Sequence, residues 1–424
     1  MLIFIVAFAL FLIIGIPIGI SIGASAVLGC LTLGYPMVVI GQKMVTGIDS
    51  FLLIAIPLFI MAGNLMNAGK ITDRIFSTAE RLVGWIPGGL GHANVVASII
   101  FAGMSGSATA DAGGLGTIEM EAMTTKGYDR EFSGAITAAS SVIGPIFPPS
   151  IPLVIYGSIA SVSVGRLFLG GVIPGLLMGV ALMILVGIYA LRRKYERTRF
   201  SFRLLVRETL RSILALITPL IILAGFTTGW FTPTEASSIA VFYSLIVAAV
   251  AYRTMDWKTF KKSLLDSALS SANVLLIIGS STLFSYVMIK EGVSRQIADF
   301  ILSISSNPMV ILLVINAILL LLGMVMEPGA ILTLMLPVLL PIVKSCGIDL
   351  VHFGVVMVLN LMIGQITPPF GVCLFTVADV GKIKLERLSR SVLPFIVPLV
   401  IVLFLCTYLP GLITWLPTAL MSGH

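Results

Sequence analysis

Two stretches of the chain, Ile143-Gly144-Pro145-Ile146-Phe147-Pro148-Pro149 and Ile363-Gly364-Gln365-Ile366-Thr367-Pro368-Pro369, share the pattern I-G-x-I-x-P-P and lie 220 positions apart. Both sit in apolar sequence. Apolar runs of roughly 17–25 residues, the length that crosses a bilayer as a helix, recur from end to end. A proline inside such a helix has no backbone donor, and its ring collides with the carbonyl four residues back. The pairs therefore free the carbonyls of Gly144 and Pro145 in the first copy and of Gly364 and Gln365 in the second. Unpaired backbone at membrane depth survives only inside protein or beside an aqueous cavity. Matched breaks in two halves of a chain point to a binding site built between repeats.

The chain has 424 residues, 58% hydrophobic and 11% charged, and a mean hydropathy of +1.10, whereas soluble domains carry about 25% charged residues. The expected fold class is an all-α polytopic membrane protein, with no stretch polar enough for a separate soluble domain. A net charge of +7 does not indicate nucleic acid, because the basic residues gather in short loops between apolar runs. There they set topology and meet the anionic lipid of the bilayer. Cys30, Cys346, Cys373 and Cys406 stand singly, and His92, His352 and His424 form no cluster, so neither a disulfide framework nor a transition-metal centre is expected. The sequence is apolar from Leu2 and its first basic residue is Lys43, which reads as a membrane segment rather than a cleaved signal. Residues 2–34 would make a helix of about 50 Å at 1.5 Å per residue, too long for one simple span. Pro17 is the place for a break or a kink.

The repeat extends beyond the prolines. At the same 220-residue offset Gly103 matches Gly323, Met104 Met324, Ala110 Ala330, Gly127 Gly347, Asp129 Asp349 and Gly134 Gly354. With a small gap, Leu52-Leu53-Ile54 matches Leu275-Leu276-Ile277 and Gly69 matches Gly292. Charge placement sets the relative orientation of the halves. The basic loop 192–211, with Arg192, Arg193, Lys194, Arg197, Arg199, Arg203, Arg207 and Arg211 against Glu196 and Glu208, belongs in the cytoplasm. Two helices, about 213–231 and 234–251, return the chain to Arg253, Lys258, Lys261 and Lys262 on the same side. Segment 264–288 exits, 309–343 is a re-entrant hairpin interrupted at Glu327-Pro328-Gly329, and 353–380, broken at Pro368-Pro369, crosses inward to Lys382, Lys384, Arg387 and Arg390. Counting backward from 192 opens an equivalent hairpin, 89–124, to the cytoplasm. The expectation is an inverted repeat with two re-entrant hairpins and two broken helices, a plan that supplies two pseudo-symmetric conformations.

The first hairpin tip, Gly103-Met104-Ser105-Gly106-Ser107-Ala108-Thr109-Ala110-Asp111, is rich in small and hydroxyl residues. It suits either an ion site made of helix ends or close helix packing through small residues. The second, Met326-Glu327-Pro328-Gly329-Ala330, carries a carboxylate that caps the next helix, neutralises a cation or binds a proton. Asp111, Glu119, Glu121, Glu235 and Asp379 are the other acids in apolar surroundings. Glu119 and Glu121 cannot share a helix face, capping accounts for Thr234 or Glu235, and Asp129 and Asp349 suit helix starts. Neither hairpin nor either broken helix has an arginine in its membrane portion, so an acidic substrate would need helix N-termini or recognition outside this chain.

Five strings in order, Ile56-Pro57-Leu58-Phe59-Ile60-Met61-Ala62-Gly63-Asn64-Leu65-Met66, the Gly103–Asp111 tip, Gly144-Pro145-Ile146-Phe147-Pro148-Pro149-Ser150, Thr232-Pro233-Thr234-Glu235-Ala236 and Gly364-Gln365-Ile366-Thr367-Pro368-Pro369, resemble the large membrane subunit of tripartite ATP-independent periplasmic (TRAP) transporters. The resemblance covers essentially the whole chain. It implies a Na⁺-coupled symporter in the bacterial cytoplasmic membrane, working with a separate small four-helix membrane subunit and a periplasmic substrate-binding protein that captures organic acids such as C4-dicarboxylates or sialic acid. It also implies an elevator. Transport-domain segments 89–172 and 309–390 would move against scaffold segments 1–88, 173–308 and 391–424, with 71–84 and 291–305 as connecting arms. By the same matching, one Na⁺ would lie between Ser105, Ser107 and the break at Gly144 and Pro145. A second would lie among Glu327, Gly364, Gln365 and Thr367. The substrate would meet Ser105, Gly106, Ser107, Thr109, Pro149, Ser150, Gly329 and Pro369.

Two other transport readings remain: a self-sufficient Na⁺/carboxylate carrier of related fold, and proton coupling through Glu327 or Asp111. An enzyme is not expected, since Ser105 and Ser107 have no histidine nearby in sequence to act as base. A channel is not expected either, because inverted hairpins imply gates at both ends.

Overall fold

In the computed structural model, which describes residues 3–193, 195, 198, 200–227, 229–305 and 307–421, the first long apolar stretch is two helices. Gly15, at φ +87°, and Pro17 separate α1 (Ile3–Ile14) from α2 (Ile18–Thr32). α3 (Met37–Ile48) completes this N-terminal group. His424 and, in the basic loop, Lys194, Glu196, Arg197 and Arg199 lie outside the described residues.

The first repeat then runs through α4 (Ala55–Ala68), amphipathic α5 (Ile71–Val83), a hairpin of α6 (Gly89–Ser105) with α7 (Ala108–Gly113) and α8 (Leu115–Thr125), a helix broken into α9 (Arg130–Ser141) and α10 (Ile151–Ala160), and α11 (Val164–Arg193). α11 is continuous across the expected boundary at residue 172. Two helices, α12 (Phe202–Thr227) and α13 (Pro233–Ile246), connect the halves. The second repeat has the same order: α14 (Trp257–Lys290), amphipathic α15 (Val293–Ile304), a hairpin of α16 (Pro308–Gly323) and α17 (Pro328–Ser345), a helix broken into α18 (Leu350–Gly364) and α19 (Val372–Gly381), and α20 (Leu385–Tyr408). α21 (Gly411–Met421) follows. The first residues of α9 and α18, Arg130 and Leu350, are 220 positions apart, as are Ala108 and Pro328 at the starts of α7 and α17. Seven of the described helical segments, α17 of the second hairpin among them, are long and apolar enough to cross a membrane, and the shorter apolar helices are α1, α2, α3, α21 and pieces of the hairpins and broken helices. The protein is an all-helical, polytopic membrane protein.

Local chemistry sets the boundaries. Asp256 caps α14, its carboxylate accepting from Thr259 N at 2.8 Å, and hydrogen bonding from the Thr259 side chain and then its backbone holds the group below the usual carboxylate range. Asp349 caps α18 through His352 N at 2.8 Å. At the start of α13 the cap is Thr232, which forms a reciprocal capping box with Glu235. Thr234 instead donates to Phe51 O at 3.1 Å, a tertiary contact that no local pattern announces.

Among membrane helices, packing relies on small residues that let backbones approach. α14 lies against α2, α3, α4 and α17. Gly19 and Gly23 of α2 face it so closely that a Cβ on Gly23 would meet Ser280 Oγ at 2.8 Å. α11 packs on α6, α10, α18, α20 and α21, and α12 packs on α5, α6 and α13. The link from α11 to α12 is pinned on both sides. Tyr195 stacks on Tyr128 with ring centroids 4.0 Å apart and donates to Asp129 Oδ2 at 2.8 Å, and Arg193 also pairs with Asp129. Three residues later Thr198 N donates to Gly84 O at 3.0 Å, at the end of α5.

Candidate functional site

Both hairpin tips and both breaks meet around a cavity of about 700 Å³. The first tip turns at Gly106, whose φ of +60° is open to glycine, and a Cβ there would lie 2.7 Å from Pro149 O in the first break. Ser107 then starts α7, accepting from Ala110 N at 3.4 Å, while Ser105 Oγ accepts from Ser107 N at 3.5 Å. Such long bonds leave these hydroxyl oxygens with capacity to spare. Gly144 faces the Ser107 carbonyl, 3.8 Å from where a Gly144 Cβ would be. The tip hydroxyls and the first break are thus brought together.

The prolines free four carbonyls, and the protein re-satisfies three of them. Pro145 O accepts from the hydroxyl of Ser150, which also caps α10. Gly364 O accepts from Thr367 N at 3.0 Å, and Gln365 O from Cys373 N at 3.1 Å. Among the described residues Gly144 O accepts none. The X-Pro bonds Pro148-Pro149 and Pro368-Pro369 are both cis.

The second tip meets the second break by backbone contact. Gly364 packs on Gly323, its would-be Cβ 2.7 Å from Gly323 C, and Gly371 N donates to Met324 O at 3.1 Å. Glu327 occupies the N-cap position of α17 without a side-chain cap bond and lines the cavity, as do Pro328 and Gly329.

Of the residues singled out in the sequence, Ser105, Gly106, Ser107, Thr109, Pro145, Glu327, Gly329 and Gln365 line this one cavity. Gly144, Pro149, Ser150, Gly364 and Thr367 lie behind it and shape the breaks, and Pro369 is exposed away from it. Thr367 spends its hydroxyl on Ile363 O at 2.7 Å. Glu119 is buried and Glu121 exposed, so only one of that pair points inward. Asp111 is buried beneath the tip without lining the cavity, and Asp379 is exposed.

Sequence reasoning missed the opposite wall. Asn64 and Asn67 of α4 and Ser270 and Asn273 of α14 face the tips, with Asn64 Nδ2 donating to Ser267 Oγ at 2.9 Å. The signal was available, because amides in apolar helices are costly and Asn64 and Asn67 are three apart on one face. Among the described residues the lining includes Glu327 and no Lys, Arg or His. The N-termini of α10 and α17 open on it through Ile151-Pro152 and Pro328-Gly329. Hydroxyl, carbonyl, amide and carboxylate oxygens suit hard monovalent cations, while the helix ends suit an anion.

The family described as "Tripartite ATP-independent periplasmic transporter, DctM component" matches residues 5–412. The chain is 46% identical over 380 residues to the sialic acid TRAP transporter large permease protein SiaM of Vibrio cholerae, covering 89% of this chain and 88% of that one. It is 42% identical to the sialic acid TRAP transporter permease protein SiaT of Haemophilus influenzae, over 96% of this chain and 67% of that one. It is also 35% identical to the C4-dicarboxylate TRAP transporter large permease protein DctM of Vibrio cholerae, over 97% and 96%. Among solved structures the YdaH transporter of Alcanivorax borkumensis shares the fold, with a TM-score of 0.56, 14% identity and 88% coverage of each chain.

Proposed function

The chain belongs to the DctM family of TRAP transporter large permeases, and from that premise we propose that it is the transmembrane subunit of a Na⁺-coupled uptake system for an organic acid. The observation that carries the Na⁺ part is the cavity lining. An anionic substrate enters a space bounded by two hairpin tips and two breaks that offers one carboxylate and no basic side chain. Helix N-termini supply only partial positive charge. Co-bound cations supply the rest, which is the physical basis for coupling: the acid binds well only when the ions are in place.

Ser105, Ser107 and the unpaired Gly144 carbonyl would hold one ion, and Glu327, Gln365 and the Gly364–Thr367 turn the other. These groups hold and orient; Na⁺ supplies the charge. The substrate is a carboxylate of the sialic acid or C4-dicarboxylate kind, delivered by a periplasmic binding protein. A small membrane subunit completes the assembly in the cytoplasmic membrane. Alternating access is an elevator, the hairpins and broken helices moving together against the α4 and α14 wall.

The test is reconstitution in vesicles with the small subunit and the binding protein. Uptake is expected only with all three components and an inward Na⁺ gradient. Uptake of free acid by this chain alone would establish a self-sufficient carrier, and uptake indifferent to Na⁺ but abolished by collapsing a pH gradient would establish proton coupling.

A further inference from the structure

Each hairpin is tied to its broken helix by a buried amide, and the tie sits at the same level in both repeats. In the first, Ser140 Oγ of α9 donates to Asn94 Oδ1 of α6 at 2.7 Å. In the second, Asn360 Nδ2 of α18 donates to Asn316 of α16, at 2.9 Å to its Oδ1 and 2.9 Å to its backbone O. None of the four residues is more than 5% exposed, and none lines the cavity. Ser140 and Asn360 are equivalent at the 220-residue offset, and each stands four residues, one helical turn, before the glycine of its break, Gly144 or Gly364. On the hairpin side, Asn94 and Asn316 each stand eleven residues before a tip residue that lines the cavity, Ser105 and Glu327.

The hairpin amides are not copies of one another. Asn94 aligns with Val314 and Asn316 with Val96, so the two halves build the tie from different positions. Their second partners differ too. Asn94 Nδ2 donates to Glu119 Oε2 and Thr137 Oγ1, both at 2.7 Å and within the first repeat, whereas Asn316 Nδ2 donates to Thr407 Oγ1 of α20 at 3.0 Å. What the repeats share is the join itself. Bundle stability alone does not account for its level, because an interhelical hydrogen bond in a membrane adds little on average and would add as much anywhere along the helices. The last turn before a break is where it is needed: the bonds that would continue that helix are missing, so something else must aim it.

We propose that Asn94 with Ser140, and Asn316 with Asn360, are positioning pairs that hold each hairpin limb in register with the last turn before its break, so that tip and break keep their separation whether or not an ion is bound. The inference rests on the Na⁺ reading above for its purpose and on the hydrogen bonds for its mechanism. A site assembled in advance does not have to order its ligands on binding, and the difference appears as affinity. The first pair serves Ser105, Ser107 and Gly144; the second serves Glu327, Gln365 and the Gly364–Thr367 turn. Because the pairs lie in separate repeats, each acts on its own site.

Hydrogen-deuterium exchange followed by mass spectrometry, on the full-length chain in lipid nanodiscs without Na⁺, tests this independently of transport. Ser140→Ala is expected to speed exchange about three- to tenfold in peptides from the first tip and break, residues 103–111 and 143–151, and to leave 324–330 and 363–371 as in the wild type. Asn360→Leu, close to isosteric, is expected to do the reverse, with Asn316→Leu in its place if that variant does not fold. Uptake by the complete three-component system gives the second readout. Half-saturating Na⁺ is expected to rise by a similar factor in each variant with the maximal rate within about twofold, a split that a general loss of stability does not produce. Exchange unchanged at a variant's own tip and break, or raised evenly in both repeats, overturns the proposal, and so does Na⁺-dependent uptake whose half-saturating Na⁺ does not move. Uptake indifferent to Na⁺ in the wild type would instead sink the coupling reading, and the exchange contrast would still decide between positioning and packing.

Discussion

The two hairpins reach one cavity with nearly superimposable element order and opposite chemistry. The first presents hydroxyls at its tip and buries two acids behind it; the second presents a lone carboxylate and buries amides, Asn316 and Asn360, but no acid behind it. Its returning limb is also continuous as α17, whereas the first is divided at Gly114, where a Cβ would lie 2.7 Å from Asn67 Nδ2. A duplicated backbone therefore constrains helix lengths and break positions far more than side-chain roles. Each half is free to specialise.

The sharpest way to break that comparison is at the tips. Gly106→Val puts a β-branched residue at positive φ against Pro149 O, a cost of about 1–3 kcal/mol in strain alone, and is expected to reduce uptake to background. Gly329→Ala in the second tip meets only Ile155 Cδ1 at 3.6 Å and is expected to keep uptake within about twofold. Equal losses in vesicle assays would make the tips equivalent and the contrast wrong.

At the breaks the order reverses. Gly364 touches Gly323 backbone, so Gly364→Val is expected to destabilise by about 1–3 kcal/mol through overpacking. Gly144→Val meets nothing closer than Ser141 O at 3.2 Å and is expected to cost less, read from thermal unfolding in nanodiscs. Ser150→Ala removes the α10 cap and the donor to Pro145 O together, for about 0.5–2 kcal/mol, an effect without a second-repeat counterpart because the backbone N of Cys373 serves Gln365 O there. The smallest change is Glu121→Gln, exposed on α8, expected to shift stability by less than about 0.5 kcal/mol. A large shift would mean that Glu121, and not Glu119 alone, faces a partner.

How much of this was legible follows from what prolines and charges record. A proline pair marks a break wherever the chain is placed, so both breaks, both hairpins, and the amphipathic helices α5 and α15 could be located from sequence. Capping is also local, yet Thr232 rather than Thr234 holds the cap, because Thr234 is drawn to Phe51 across 183 positions. The amide wall of Asn64, Asn67 and Asn273 and the cluster joining Asn94 to Ser140 depend on which helix faces which. Periodicity in a membrane helix, apolar on most sides, hardly encodes that. The freed carbonyls were half legible: the chemistry of proline says which ones lose a partner, while only the fold says that Ser150, Thr367 and Cys373 replace it for three of them.

The double pinning of the α11–α12 link has a mechanical reading. Tyr195 is fastened to the base of the first hairpin at Tyr128 and Asp129, and Thr198 to the end of α5 at Gly84. Three residues of extended chain reach only about 10 Å. The link is a short leash between the base of the first hairpin and the end of α5: the two can part by no more than that length unless the stacked tyrosine or the Gly84 carbonyl lets go.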